Sequence, residues 1–195
     1  MSDRIWLLRH GATEWTQAGR HTGREEVPLS AEGREQARAA GALLAGIQFD
    51  HVLVSPQGRA RETAALAGVG DGAQVRDELV EWDYGDYEGL TDAETEQRQP
   101  GWDLFRDGCP GGESPQQVTE RVDRLLDELS GYEGTCLLVA HGKLLRALGA
   151  RWLGQGVALA SALPMDPAAV SLLEREGAQP LLRLWNFAGQ VEPLL

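Results

Sequence analysis

Two histidines in this chain, His10 and His141, are each followed directly by glycine, and each ends a short apolar run: LLRHG at 7–11 and LLVAHG at 137–142. A third run, HVLV at 51–54, leads into Ser55-Pro56 and then Arg59. In open α/β sheets the ligand crevice lies beyond the carboxyl ends of the strands, so Arg9, His10, Arg59 and His141 are expected to meet there. Their types suit one chemistry. Arginine forks match phosphate oxygens, a neutral imidazole attacks phosphorus, and nearby positive charge relieves the repulsion that an anion presents to its attacker. Gly11 and Gly142 permit close backbone approach and are expected to leave an N–H facing the anion. An alcohol leaving group needs a proton, and LVEWDYGDYEG at 79–89 offers Glu81, Asp83, Asp86 and Glu88. Spacing alone does not choose among the four.

These residues need strands and helices in alternation to bring them together. Ile5–Leu8, His51–Val54 and Thr135–Ala140 read as buried strands, with helices over Ser30–Leu44, Arg59–Leu66 and Lys143–Trp152. Ser30 is an N-cap candidate, and Gly46 falls just past the end of that helix. The clearest helix opens with Ser114-Pro115-Gln116-Gln117, a capping box with proline at its first position. Val118, Val122, Leu125, Leu126 and Leu129 follow at helical spacing, and Gly131 closes it. Two further strands are expected at Ala169–Leu173 and Leu181–Phe187, joined by a turn over 176–180. Residues 77–112 read as irregular, and a long irregular segment in a compact domain is usually functional. The pattern predicts an α/β fold with a mainly parallel sheet.

The chain has 195 residues, enough for one domain over 1–195 without a disulfide or metal staple. Its 18 basic against 30 acidic residues leave a formal charge of −12, which argues against a general nucleic-acid surface. Two cysteines, Cys109 and Cys136, are too few for a disulfide scaffold. No apolar run is long enough for a membrane span or a secretory leader, so a cytoplasmic location is expected. Lys143 is the only lysine, and the remaining cations are arginine.

LLRHGATEW, SPQGRARETA, LVEWDYGDYEG and LLVAHGKLLRA resemble, in order and spacing, the four blocks of the histidine phosphatase superfamily, also called phosphoglycerate-mutase-like. The resemblance spans most of residues 5–150. It implies a three-layer α/β/α sandwich, with His10 becoming phosphohistidine and Arg9, Arg59 and His141 forming the phosphate pocket. It also places Glu81 as the proton donor. His10 is expected to have its far ring nitrogen held by a backbone carbonyl, and His141 to assist as a cation. No cofactor or metal is implied. The partner is a small-molecule phosphate ester, and the sequence fixes no oligomeric state.

The mutases of this superfamily carry asparagine where this chain has Thr16, and a longer middle insertion that it lacks, so the resemblance favours a phosphatase. ArgHisThrGly at 20–23, EWDYGDYEG at 81–89 and WDLFRDGCPGGES at 102–114 resemble a subgroup with fungal sedoheptulose-1,7-bisphosphatase and actinobacterial acid phosphatases. On that reading Thr16, His21, Thr22, Gly23 and Gly142 contact substrate, with Thr22 giving a hydroxyl and Gly23 an N–H. Arg106 and Glu113 are weighed as covering the sugar end against being ion-paired loop residues. His51 and Arg61 are read as structural, Trp82, Tyr84 and Tyr87 as leaning to packing, and Cys109 as unreactive. The competing readings are a phosphoglycerate mutase or alpha-ribazole phosphatase with the same chemistry, a metallohydrolase, and a silent phospho-ligand binding module.

Overall fold

The computed structural model describes residues 4–189. Six strands form one sheet: β1 Arg4–Arg9, β2 His51–Val54, β3 Gln74–Val75, β4 Thr135–Ala140, β5 Val170–Glu176 and β6 Gln179–Phe187, in the order β3-β2-β4-β1-β5-β6. The first four run parallel, and β5 and β6 add antiparallel at the β1 side. The helices are α1 Glu14–Gln17, α2 Ala31–Leu44, α3 Gly58–Leu66, α4 Asp92–Arg98, α5 Leu104–Asp107, α6 Pro115–Ser130 and α7 Gly142–Trp152.

The two-residue period of a strand sends neighbours to opposite faces, and both faces here are apolar. Ile5, Leu7 and Leu138 point into a core shared with α6 and α7. Leu8, Leu137 and Val139 point the other way, against Ala40 and Leu44 of α2 and Ala60 and Ala64 of α3. The result is an α/β/α sandwich with a mainly parallel sheet. Helix α6 forms as its sequence predicts: the Ser114–Gln117 capping box is reciprocal, and Val118, Val122, Leu125 and Leu129 are buried. Burying each of those side chains contributes roughly 1.5–3 kcal/mol. On the opposite face α2 comes very close to the loop after β1. A Cβ on Gly33 would lie 1.9 Å from the Ala12 carbonyl oxygen, so only glycine fits that crossing.

Several boundaries differ from the sequence expectation. The β5–β6 turn shrinks to Gly177-Ala178, because pairing continues through Glu176–Gln179 and Arg175–Pro180. Pro180 is tolerated since β6 is an edge strand that does not need that N–H. β5 begins at Val170, after a turn in which Ala168 sits at φ 56°. Residues 77–112 hold short helices the sequence reading did not place: 3-10 turns at Asp77–Leu79 and Gly85–Tyr87, then α4 and α5. Four-to-seven-residue helices are too short for a periodic signal, although Thr91–Glu94 is a capping box legible in retrospect. Among the described residues no helix is long and apolar enough to cross a membrane.

Candidate active site

The sheet places the two histidines side by side. β4 lies between β1 and β2, and the ladder continues one residue past each neighbour. The His10 N–H donates to the Ala140 carbonyl at 2.9 Å and the Ser55 N–H to the Val139 carbonyl at 3.0 Å. His10, Ser55 and His141 therefore leave the same sheet edge together. The rings of His10 and His141 are 5.1 Å apart between centroids, and both residues are buried.

A hydrogen bond fixes the proton on the His10 ring. His10 Nδ1 lies 2.7 Å from the Gly11 carbonyl oxygen, which can only accept, so Nδ1 carries the proton and Nε2 keeps a lone pair. The holding carbonyl expected from the sequence is thus that of Gly11. His141 Nε2 is 2.7 Å from Ser55 Oγ, and that hydroxyl accepts the Gln57 N–H at 3.3 Å. A Ser55 hydroxyl that donates its own proton to Nε2 puts the His141 proton on Nδ1, which has no partner of its own among the described residues. Burial, with Arg59 and Arg9 alongside, holds His10 well below the usual imidazole range. Burial, Arg59 and His10 do the same to His141. The expectation of a cationic His141 is therefore corrected: desolvation among arginines keeps it neutral.

Both arginines are locked by backbone. Arg9 Nη1 donates to the Met165 carbonyl, and Arg59 donates to the carbonyls of Glu25 at 2.9 Å, Gly23 at 2.9 Å and Thr22 at 3.4 Å. Burial lowers both guanidinium values, with Glu81 acting against it. Glu81 is buried, and its carboxyl accepts the N–H groups of Trp82 at 2.9 Å, Lys143 at 3.1 Å and Leu144 at 2.9 Å. The last two open α7, a common seat for an acidic side chain. Four buried side-chain nitrogens have no hydrogen-bond partner among the described residues: Arg9 Nε, Arg59 Nε, His141 Nδ1 and His21 Nδ1.

A cavity of about 190 Å³ opens here, lined by Arg9, His10, Thr16, His21, Thr22, Glu81 and Gly142 among others. Of the expected set, Arg59, His141 and Gly23 do not line it, although the His141 ring lies 5.1 Å from that of His10. His21 is not an exposed loop residue. It is buried, stacked on Tyr84 at 4.8 Å, with Nε2 2.8 Å from Asp92. Its Nδ1 is buried and has no hydrogen-bond partner among the described residues.

Two expected N–H contacts are corrected. Gly23 donates to Glu88 at 2.7 Å and packs against Trp82 and Tyr84, so it clips the loop instead of facing ligand. Gly11 donates to Thr63 at 3.1 Å. Gly142 does sit at a close approach, since a Cβ there would lie 3.0 Å from Arg9 Nε.

Arg106 and Glu113 do not line the cavity. Arg106 pairs with Asp107 on the surface, and Glu113 holds Arg121 at 2.8 Å and the Asp83 N–H at 2.9 Å. Trp82 and Tyr87 pack, whereas Tyr84 lines the cavity. His51 packs at a tilt against Tyr132, and Arg61 lines a different surface hollow. Cys109 and Cys136 are free, and burial pushes each thiol up to about 12. The sequence reading missed Ser55 as a partner of His141. It also missed Gln57, which donates to the Gly23 carbonyl at 2.6 Å and accepts the Glu81 N–H at 3.1 Å. The motif SPQGR carried both, but nothing in it says where their side chains go. Among the described residues no group of three or more His, Cys, Asp or Glu side chains is arranged to hold a metal ion.

A neutral imidazole with one available lone pair, between two buried guanidiniums and a second imidazole, can present a nucleophile to an anionic phosphorus centre. The fold and site together define a phosphoryl-handling α/β enzyme. The chain belongs to the histidine phosphatase superfamily (branch 1), whose family model matches residues 5–188. It is 39% identical over 197 residues to an acid phosphatase of Mycobacterium tuberculosis, covering 98% of this chain and 96% of that protein. It is 32% identical over 190 residues to sedoheptulose 1,7-bisphosphatase of Saccharomyces cerevisiae, covering 80% of this chain and 70% of that one. The solved structure of an open reading frame product from Mycobacterium tuberculosis superimposes with a TM-score of 0.90 at 38% identity, covering 97% of this chain and all of that one.

Proposed function

We propose that the protein is a metal-independent phosphatase that hydrolyses small phosphomonoesters, chiefly sugar phosphates, through a phosphohistidine on His10. The observation that carries this reading is the set of unpartnered buried nitrogens. A buried donor left without an acceptor costs about 1–3 kcal/mol, so the bare Nε of Arg9, on the cavity wall with His10, fits an anion's oxygen, while Arg59 and His141, which act on His10 from behind that wall, carry further bare nitrogens. The relatives named acid phosphatase and sedoheptulose 1,7-bisphosphatase support the same ester class.

In this mechanism His10 Nε2 attacks phosphorus and the bond from phosphorus to the leaving oxygen breaks. Arg9, Arg59 and neutral His141 stabilise the equatorial oxygens during the transfer. Glu81 delivers a proton to the leaving oxygen. Water then attacks the phosphohistidine, the P–N bond breaks, and Glu81 takes up the water's proton. The Gly11 carbonyl keeps Nδ1 protonated, so the reacting lone pair stays on Nε2. The monoanionic ester brings that proton and passes it to Glu81 on binding, and after hydrolysis it leaves with the phosphate, so turnover declines as the ester's second ionisation, at about pH 6, removes it. Charge neutralisation comes from arginine, which needs no metal.

The test is phosphate release with EDTA present, across sedoheptulose 1,7-bisphosphate, fructose 1,6-bisphosphate, 3-phosphoglycerate, nucleotides and p-nitrophenyl phosphate. Release that is unaffected by chelator, abolished in His10→Ala and falling from acid to neutral pH is expected. Activity lost with EDTA, retained in His10→Ala, or flat to about pH 9 overturns the mechanism.

A further inference from the structure

Two cavities adjoin beyond the carboxyl edge of the sheet. The inner one, about 190 Å³, is walled by Arg9, His10, His21 and Glu81. The outer one, about 490 Å³, is framed by Glu96, Trp102, Asp103 and Phe105. Asp92, Lys143 and Arg146 line both and form their common wall.

Lys143 is the only lysine of the chain. Its backbone N–H is tied to Glu81, so the root of the side chain is fixed beside the reacting group. Among the described residues its ammonium has no hydrogen bond or ion pair, and it sits over the Phe105 ring, 5.8 Å from the centroid. Burial and the neighbouring Arg146 press the ammonium below its usual range. Arg146, one helical turn on, is oriented by the carbonyls of Ala160 at 2.9 Å and Ser161 at 3.1 Å. The acidic side chains of the outer cavity are already engaged. Asp92 holds His21, Glu96 accepts the Gly101 N–H, and Asp103 caps α5 and accepts the Ser161 hydroxyl. The negative groups thus have partners, and the lysine does not.

We propose that Lys143 determines specificity by binding a second anionic group, carboxylate or phosphate, on the leaving-group side of a phosphomonoester seated at His10. This rests on the phosphatase reading above. The two cavities adjoin across Lys143, so a leaving group that extends beyond the inner one passes Lys143 into the outer one. A compact ammonium on a flexible stem reads charge without demanding the planar geometry of a guanidinium, as a spacer of variable length requires.

Matched ester pairs test this: glycerol 3-phosphate against 3-phosphoglycerate, and fructose 1-phosphate against fructose 1,6-bisphosphate. Each pair differs in the distal charge, the first by a carboxylate and the second by a phosphate. The ratio of kcat/KM within each pair is measured in wild type, Lys143→Met, Lys143→Glu and Lys143→Arg, and the ratio of calorimetric affinities in the same series on a His10→Ala background. Wild type is expected to prefer the charged member of at least one pair, and that pair identifies the group. Lys143→Met keeps the apolar stem against Phe105 and is expected to shrink the ratio about tenfold or more, mainly through KM. Lys143→Glu shrinks it further and Lys143→Arg restores much of it. An unchanged ratio, equal losses for both members, or no charge preference in wild type overturns the proposal. If no ester is hydrolysed, the phosphatase reading fails, while the calorimetric ratios still decide the role of Lys143.

Discussion

The tautomer of His141 hangs on one hydroxyl, and that makes Ser55→Ala an informative perturbation. Ser55 is fully buried, accepts the Gln57 N–H at 3.3 Å and lies 2.7 Å from His141 Nε2. Alanine removes only the oxygen, so packing is nearly conserved, and β2 and β4 keep their ladder through the Ser55 backbone. What is lost is the donor that holds the proton on Nδ1. A buried acceptor left without its partner costs about 1–3 kcal/mol. Expressed wholly in the transition state, that is a roughly 5- to 150-fold loss in kcat/KM. Because His141 is held neutral by burial, Arg59 and His10, charge cannot compensate for the wrong tautomer. Phosphate release gives the rate, and imidazole nitrogen NMR shifts give the tautomer directly. Wild type should show His141 protonated at Nδ1 and bare at Nε2, and Ser55→Ala should show a mixture. A wild-type spectrum with the proton on Nε2, or a variant with unchanged tautomer and a large rate loss, refutes the reasoning.

Two further predictions concern stability. His10 and His141 are both held well below the usual imidazole range, so below about pH 6.5 the unfolded chain binds protons that the native one does not. Stability should therefore fall as pH drops below that point, by up to about 1.4 kcal/mol per pH unit for each histidine, and show no such slope above it. Urea midpoints between neutral and mildly acid pH test this, and a flat series would count against it. Arg121 is buried, with its fork on both Glu113 oxygens at 3.0 and 2.8 Å and one Nη on the carbonyls of Glu78 and Val80 at 2.7 Å. Arg121→Met should cost about 3 kcal/mol, the low end for a buried pair, because part-buried Glu113 keeps only the Asp83 N–H, and adding Glu113→Gln should recover part of it. Chemical denaturation measures both, and a loss below about 1 kcal/mol would place the pair among ordinary surface ions.

The strands bearing the site were legible because each is a short apolar run that stops at a polar residue. β2 and β4 fall where HVLV and TCLLVA predict them, and α6 follows from its capping box and apolar spacing. The segment 77–112 was not legible. Its order comes from tertiary bonds between residues far apart, such as Glu113 to Asp83 and the Trp82 indole to the Glu113 carbonyl at 3.0 Å. Such bonds leave no periodic trace. Gln57 is the sharpest case: one amide joins the loop carrying Gly23 to the backbone of Glu81, and the sequence shows only a polar residue after a proline.

An acidic chain that receives an anion looks contradictory until the arginines are sorted by partner. Arg34, Arg38, Arg76, Arg106 and Arg151 pair with carboxylates on the surface, where each charge is cancelled at short range. Arg9, Arg59 and Arg146 are held by carbonyl oxygens. A carbonyl orients a guanidinium as firmly as a carboxylate but contributes a dipole instead of a full negative charge, so the cation's field survives in the cavity. Glu81 is the carboxylate that acts most strongly on both Arg9 and Arg59, and its own oxygens are taken up by the N-terminus of α7 and the Trp82 N–H. The net charge of −12 therefore describes the outer surface, whereas the affinity of the cleft is set by which arginines face backbone. Composition counts both kinds alike, which is why it was silent about phosphate esters.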